Sequence, residues 1–522
     1  MSFNWNPFHK KKQENHVSDK QKVSHISKDI SQNLKKLLEE FEDSSEIVIR
    51  ELNTGINKDI RIVSIYMDGL VDQTLVNEFI MESLMLNKSE FDKYTPKEDV
   101  FNDLRMNALT LSNIKVINDW DSLVLAILSG NTVIMIDGWN EVFNGETQGW
   151  EERSIQEPTS QTVIRGPKDS FTESLRVNVT LIRKRIKNAN LRLENIEIGK
   201  VSRTNVAFMY IQGIATDELV KEVRNRLEKI ETDSIIESGN IEEFIQDQTS
   251  TPFPQLINSE RPDAAVGNLL EGRVVILIDG TPFVLIAPAT FFQFFQSPED
   301  YYQRADIASL LRLLRFFVFF ISLFAPSIYI SLTTFHQEML PFPLLINLAA
   351  QREGVPFPAF FEALIMEITF EILREAGVRM PRAVGQAVSI VGAIVIGEAA
   401  VQAGIISPAM VIVVGITAIS SFAVPSFSIG IPARILRFIL MISAATAGFY
   451  GMTLLVILII GHMNSLRSFG VPYLEPLSPF NLTAQADTFI RLPKKLEQKI
   501  IMKRDNTVKK ANQLNKDGDT NG

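Results

Sequence analysis

The sequence predicts an α+β soluble N-terminal half made of two duplicated subdomains, followed by an all-α polytopic membrane domain. Three observations lead to this fold class. Charged residues are frequent up to about Arg315 and sparse from residue 316 to residue 460. Two stretches of the N-terminal half recur later in the same order. Uncharged runs long enough to cross a bilayer follow residue 315.

The duplication rests on two matches. Residues 62–70 return as residues 206–214 with the same apolar pattern, tyrosine and glycine, and residues 128–138 return as residues 270–280, both ending in Asp-Gly. Two matches in one order imply two copies of one unit. Each copy opens with a β-rich run, continues with an amphipathic helix and closes with a buried strand. The Asp-Gly pairs predict tight type I′ hairpins, in which both central residues have positive φ.

The sequence gives almost no support to an enzyme. Asp137 and Asp279 could be paired catalytic carboxylates, but their place in predicted turns accounts for them better. No Walker, Rossmann, zincin or nucleophile-elbow motif occurs in the sequence. With no cysteine and five scattered histidines, we expect no metal and no cofactor. The net charge of -9 argues against a nucleic-acid partner.

Composition divides the chain into six predicted segments. They are a disordered cytoplasmic tail (1–44), a first subdomain (45–145), a linker with a basic helix (146–200), a second subdomain (201–300), the membrane domain (301–480) and a polar cytoplasmic tail (481–522). The basic residues of the linker helix are Arg183, Lys184, Arg185 and Lys187. Their helix face is either simply solvated or contacts anionic lipid or a partner.

About four membrane spans are predicted. They are residues 316–335, 384–403, 405–424 and 435–461. Positive charges before the first span and in the C-terminal tail place both the N-terminal half and the C-terminus in the cytoplasm, which requires an even number of crossings. Residues 340–375 are too polar for a simple span, with Glu367, Glu371 and Arg374 on one helical face. We expect an interfacial or protein-buried amphipathic segment, or a re-entrant one.

The helix predicted at residues 384–403 has two unlike sides. One side carries small residues that let membrane helices pack closely: Gly385, Gly392, Ala393, Gly397 and Ala400. The other side carries the predicted pore-lining or gate residues: Val391, Ile394, Val395, Glu398 and Gln402.

An ionised carboxylate that faces lipid is costly. Glu398 therefore either faces a water-filled pathway or pairs structurally, with an arginine such as Arg434 or Arg437 or with a partner subunit. In a homo-oligomer, identical copies of Glu398 would form an acidic ring that favours cations, and a ring of Val395 could be an apolar gate.

Three blocks of sequence are distinctive: Ile-Arg-Gly-Pro at residues 164–167, Pro-Phe-Pro-Leu-Leu at residues 341–345, and the stretch from residue 379 to residue 401. Together they resemble the GerA family, the A subunits of bacterial spore germinant receptors. The resemblance spans about residues 46–480. Its family-motif residues are Arg165, Gly166, Pro167, Pro341, Pro343, Pro381 and Arg382.

This resemblance implies a multi-pass protein of the spore inner membrane, with its N-terminal half on the spore core side. It implies a transporter-like B subunit that binds the nutrient, and a lipoprotein C subunit. It also implies that A subunits self-associate, as a pentamer, into a nutrient-gated channel for monovalent cations. The alternative is a non-conducting membrane signalling scaffold of the germination complex. A solute transporter is a weaker hypothesis, because the few hydrophobic segments show no inverted repeat.

Overall fold

The computed structural model describes residues 25–42, 44–54, 60–80, 114–149, 157–158, 160–379, 397–480 and 484–493. The chain divides into two compact units. The N-terminal unit is formed by Met1–Thr162, Pro167–Gln246 and Asn258–Pro288, and the C-terminal unit by Val163–Gly166, Asp247–Ile257 and Ala289–Gly522.

The N-terminal unit contains two five-stranded sheets with helices. The strands of the first sheet are β1 (Ile47–Thr54), β2 (Ile60–Met67), β3 (Ile114–Ile117), β4 (Thr132–Ile136) and β5 (Val142–Gly145), and they lie side by side in the order β1-β2-β4-β5-β3. The helices of this first subdomain are α1 (Ile30–Phe41), α2 (Gln73–Ile80) and α3 (Trp120–Leu128). The strands of the second sheet are β6 (Leu191–Ile198), β7 (Thr204–Ile211), β8 (Ile257–Ser259), β9 (Val274–Ile278) and β10 (Val284–Ala287), in the order β6-β7-β9-β10-β8. The helices of the second subdomain are α4 (Leu175–Arg183), α5 (Asp217–Glu228), α6 (Ser238–Ile245) and α7 (Pro262–Leu270).

The two sheets match strand for strand. Ile62 of β2 pairs with Ile136 of β4, and Val206 of β7 pairs with Ile278 of β9, both in antiparallel ladders. The two repeated stretches of the sequence therefore form equivalent central strands of each sheet. These strands are apolar and almost entirely buried. A common origin of the two subdomains remains a prediction.

The aspartates of the two Asp-Gly pairs hold the beginnings of helices. The Asp137 carboxylate accepts a long 3.5 Å hydrogen bond from the backbone N–H of Ile30, the first residue of α1. The Asp279 carboxylate accepts one of 3.0 Å from the N–H of Leu175, the first residue of α4. Backbone N–H groups at a helix start lack intrahelical partners, so each carboxylate supplies one. A structural role thus accounts for both acids.

The hairpin loops that follow these aspartates are longer than the sequence predicted. Residues 137–141 join β4 to β5, and residues 279–283 join β9 to β10. The prediction of a type I′ turn was wrong, because only Gly138 and Gly280 have positive φ, at 91° and 92°. The aspartates instead hold the neighbouring helices.

Helix α1 lies within the segment predicted to be a disordered tail. Its buried residues include Ile30, Leu34, Leu37 and Phe41, spaced three or four apart, which is the pattern of an amphipathic helix. They join a core cluster with residues of the first sheet and α3. Similarly, α4 and β6 lie within the predicted linker and form part of the second subdomain.

The basic helix α4 uses arginines to join the two subdomains. Arg183 forms an ion pair with Glu46, and the two side chains are 2% and 8% exposed. Arg176, on the same helix, pairs with Asp68 of the first subdomain at 2.7 Å, whereas Arg185, just beyond the helix, pairs with Asp169 at 2.5 Å. Arg183 is therefore neither solvated nor available to lipid, because its side chain is buried and paired with the Glu46 carboxylate.

The C-terminal unit is largely helical. Its helices are α8 (Ala305–Thr334), α9 (Phe342–Arg352), α10 (Ala359–Arg379), α11 (Gly397–Gln402), α12 (Pro408–Phe422) and α13 (Phe427–Ser465), followed by the short strands β11 (Arg467–Ser468) and β12 (Val471–Pro472). Among the described residues, α8 and α13 are long and apolar enough to cross a membrane, and α12 is a shorter apolar helix. Helix α8 corresponds to the predicted span at residues 316–335, α12 to the one at residues 405–424, and α13 to the one at residues 435–461. Residues 384–396 of the second predicted span lie outside the described residues.

Helix α13 is broken at Gly448, where φ is 59° and ψ is -142°. The break separates two arms, residues 427–447 and 449–465. In a continuous helix, Ile439 and Leu458 would lie about 28 Å apart at 1.5 Å per residue, but here they line the same groove. The arms therefore fold back on each other as a helical hairpin, whereas the sequence predicted one uninterrupted span over residues 435–461.

Candidate functional site: charged side chains buried in the C-terminal unit

Helix α10 buries acidic side chains that a lipid-facing helix could not accommodate. Glu362 and Glu367 are both 0% exposed. Of the alternatives predicted for this polar segment, the structure supports the protein-buried one for these two acids. Each has an arginine partner on a different helix.

The deepest pair is Glu367 with Arg437. The Arg437 Nη1 atom donates to Glu367 Oε2 at 2.5 Å, and both side chains are almost fully buried, at 1% and 0% exposure. Arg437 lies about halfway along the first arm of α13, about 15 Å of helix from Phe427 and from Gly448 at 1.5 Å per residue. The pair joins the middle of α10 to the middle of this arm.

A second group lies beside this pair. Glu371 contacts Arg434 at 3.3 Å and Arg374 at 3.6 Å. Arg374 also donates to Ser421 Oγ at 2.5 Å, and its guanidinium lies 5.1 Å from the centre of the Phe422 ring. The cation–π contact and the hydrogen bond attach α10 to α12.

A third pair fixes the start of α10. Glu362 Oε1 lies 3.4 Å from Arg352 Nε, and Glu362 Oε2 accepts a 2.8 Å hydrogen bond from the backbone N–H of Ser407. Ser407 is the residue before α12. Acids on α10 therefore connect α9, α12 and α13.

We call Glu367, Glu371, Arg374, Arg434 and Arg437 the charge cluster. Among the described residues, polar atoms of four of its members have no hydrogen-bond partner: Glu367 Oε1, Glu371 Oε1, Arg374 Nε, and Arg437 Nε and Nη2. Incomplete pairing of buried charges costs free energy. Buried ionisable groups that are incompletely paired are therefore functional candidates.

In α11, the described end of the predicted pore helix, the small and the polar residues differ in burial. Gly397 is buried, and a Cβ atom there would lie 3.3 Å from Val411 Cγ1. Ala400 is partly buried against the core cluster of this unit. Glu398 and Gln402 are exposed, and Gln402 Nε2 donates to Glu398 Oε1 at 3.1 Å.

The structure gives Arg434 and Arg437, the arginines suggested as structural partners of Glu398, other partners. Those arginines contact Glu371 and Glu367 instead. Both acids lie on α10, which packs against α13. A partner on another subunit remains an open prediction for Glu398.

Several predicted site residues lie outside the described part of the chain. They are Val391, Ile394 and Val395 of the predicted pore face, Gly385, Gly392 and Ala393 of the packing face, and the family-motif residues Pro381 and Arg382. Their roles remain predictions.

The described family-motif residues shape the backbone. Gly166 has a φ of 143°, and a Cβ atom there would lie 2.8 Å from the ring of Tyr302. The Pro167 carbonyl accepts a 3.0 Å hydrogen bond from Arg261, whereas Arg165 is exposed. Pro341 is the N-cap residue of α9, and Pro343 lies in its first turn, where a missing N–H is tolerated.

Sequence reasoning identified the acids of α10 but missed their partners. The sequence suggests Arg434 and Arg437 only as partners of Glu398. A signal was present in the near-equal spacing of Glu367 and Glu371 and of Arg434 and Arg437. Such spacing suits two facing helices, but it does not identify which helices face each other.

Comparisons with known proteins agree on one family. The chain matches the family model described as Bacillus/Clostridium GerA spore germination protein over residues 35–501. It is 51% identical over 475 residues to spore germination protein KA of Bacillus subtilis (strain 168), covering 91% of this chain and 86% of that protein. It is 37% identical over 463 residues to spore germination protein GerLA of Bacillus cereus, covering 89% of this chain and 93% of that protein.

One solved structure is also similar. It is the N-terminal domain of the A subunit of the Bacillus megaterium spore germinant receptor GerK3, which is 38% identical, with a TM-score of 0.41, over 52% of this chain and 98% of that one. The family model and the full-length relatives cover most of the present sequence. This chain therefore belongs to the GerA family of spore germination proteins.

Proposed function

We propose that this protein is the A subunit of a germinant receptor in the spore inner membrane, and that copies of it assemble into a cation channel. The N-terminal half lies on the spore core side. A transporter-like B subunit supplies nutrient binding, and a lipoprotein C subunit completes the receptor. Self-association, as a pentamer, places residues 384–403 around a pathway for monovalent cations.

The exposure of Glu398 carries this proposal. In one copy of the chain, Glu398 and Gln402 face away from the protein while Gly397 packs inward. An ionised carboxylate that faces lipid within a membrane helix costs up to about 2.5–3.5 kcal/mol when nothing compensates it. A ring of copies around a hydrated axis removes that cost, and the ring attracts cations.

The charge cluster supports the proposal in a second way. Its contacts join α10, α12 and the first arm of α13, and α12 also packs against Gly397 through Val411. The proposed pore helix therefore packs against a group of helices that the charge cluster holds together. Because Arg434 and Arg437 are committed to that group, they do not neutralise Glu398.

Potassium release from spores tests the channel. Glu398→Gln keeps the shape of the side chain and removes the charge, so we expect slower release after nutrient addition. Glu338→Gln is the matched control, because Glu338 is also exposed but lies between α8 and α9. Val395→Ala would widen the predicted gate and release potassium without nutrient.

Protein level and receptor assembly are measured in each variant first. If Glu398→Gln and Val395→Ala both release potassium at the rate of Glu338→Gln and of the unaltered protein, residues 384–403 do not line the path. In that case the non-conducting scaffold becomes the better hypothesis.

A further inference from the structure

A groove of about 480 Å³ opens along the helical hairpin of the C-terminal unit. The two arms of α13 supply aliphatic walls, including Ile435, Ile439 and Leu458, and Phe253 supplies part of the opposite wall. Its volume falls within the range of small-molecule sites, roughly 300–1,000 Å³. We call this feature the hairpin groove.

The polar atoms of the hairpin groove gather at one end. Thr251 Oγ1 and His462 Nε2 lie 2.9 Å apart and form a hydrogen bond. The His462 ring also lies 6.2 Å from the Phe253 ring, centre to centre. A hydroxyl and an imidazole can each donate or accept, so this end suits an oxygen-bearing head group.

The groove lies in the half of the hairpin away from its tip, 9 to 14 residues from Gly448 along each arm. His462 is close to the last residue of the second arm, Ser465, whereas Ile439 and Leu458 lie nearer to Gly448. The proposed function places the protein in a membrane, and if both arms cross that membrane, the polar end lies near its surface and the aliphatic walls lie among acyl chains. An occupant must then be polar at one end and apolar along its length.

We propose that the hairpin groove binds one single-chain amphiphile, an alkyl chain with an oxygen-bearing head group. The head group hydrogen-bonds to Thr251 and His462, and the chain lies against Ile435, Ile439 and Leu458. This inference rests on the membrane placement in the proposed function, but not on ion conduction. It gives the receptor subunit an amphiphile-binding site that is separate from the charge cluster and from Glu398.

Photolabelling of the purified full-length protein in detergent tests the proposal. The probe is palmitic acid with a diazirine on its chain, and labelled residues are located by mass spectrometry. We expect saturable labelling of the groove walls that unlabelled palmitic acid displaces. Because Leu458→Trp fills part of the groove and prevents burial of about two methylene groups, the probe should bind about tenfold more weakly.

Ile457→Trp is the matched control, because Ile457 is the adjacent residue on the same arm and is exposed outside the groove wall. Thr251→Val preserves shape and removes the hydroxyl, so it should weaken labelling by palmitic acid more than labelling by a diazirine alkane of equal length. Equal loss for both probes would show that the polar end recognises no head group.

Two results would overturn the proposal. Labelling that does not saturate, or that falls equally in Leu458→Trp and Ile457→Trp, means that the probe reports only the general lipid-facing surface. These results are independent of potassium release, so a failure of the groove leaves the channel proposal standing. Conversely, an unchanged release rate in Glu398→Gln would not affect saturable labelling.

Discussion

At the scale of single residues, burial decides what a glutamate–arginine pair contributes in this protein. Glu367 and Arg437 are 2.5 Å apart and almost fully buried. Glu375 and Arg379 are also 2.5 Å apart, but their side chains are 65% and 78% exposed. Water screens the exposed pair, whereas the buried pair has exchanged its hydration for one direct contact. Equal distances therefore correspond to very different energies.

Removing one member of the buried pair should be severe. Arg437→Met leaves the Glu367 charge buried without its partner, and we expect a loss of about 3–5 kcal/mol of stability. Arg379→Met, the matched control, should cost about 0–1 kcal/mol. Thermal unfolding of the purified proteins in one detergent measures both changes.

A double variant distinguishes pairing from simple loss of volume. Glu367→Leu combined with Arg437→Met removes both charges and keeps apolar bulk, so much of the lost stability should return. If the double variant is as unstable as Arg437→Met alone, the cost comes from packing rather than from an unpaired charge. The same comparison in spores would show whether the charge cluster is also needed for germination.

At the scale of helices and strands, the sequence predicted where elements form better than where the chain reverses and which helices pack together. The repeated strands and the amphipathic helices α2 and α5 were expected, because apolar periodicity reports a local pattern. The hairpin in α13 was missed, since an apolar pattern that continues through residues 443–451 does not show that the chain reverses there. The partners of buried charges were missed for the same reason: pairing depends on which helices meet.

The chain reversal at Gly448 could not be predicted from the sequence. Its φ of 59° and ψ of -142° lie in a region that residues with a side chain rarely adopt. A Cβ atom at this position would also lie 2.6 Å from Cε1 of His336. Only glycine therefore allows the reversal beside the end of α8.

Alanine at this position should loosen the hairpin. We expect Gly448→Ala to cost about 1–3 kcal/mol from backbone strain alone, measured by thermal unfolding in detergent. Gly430→Ala is the control, because Gly430 lies in the first arm with open space around its Cβ position. It should be neutral or stabilise by about 0.4–1 kcal/mol. Similar melting temperatures for the two variants would argue against a reversal at Gly448.

At the scale of the whole molecule, the two sheets of the N-terminal unit are joined by polar contacts that a comparison of the repeats does not reveal. The ion pair between Arg183 of α4 and Glu46 beside β1 is buried. Arg192 of β6 donates to the carbonyl of Glu40 at 3.3 Å. Apolar periodicity predicts each sheet. The contacts between the sheets could not be predicted, because they are made by single charged residues that look like surface residues in the sequence.

Hydrogen exchange in the full-length protein can show whether these contacts make the two sheets unfold together. Arg183→Met leaves Glu46 buried without its partner, so we expect faster exchange in both β1–β2 and β6–β7, with a loss of about 3–5 kcal/mol. Arg176→Met is the control: Arg176 lies on the same helix and pairs with Asp68 of the first subdomain at 2.7 Å, but the two side chains are 58% and 41% exposed. Its loss should be about 0–1 kcal/mol. If Arg183→Met speeds exchange in β6–β7 but leaves β1–β2 protected, the sheets are stable separately, and the buried pair positions them without coupling their unfolding.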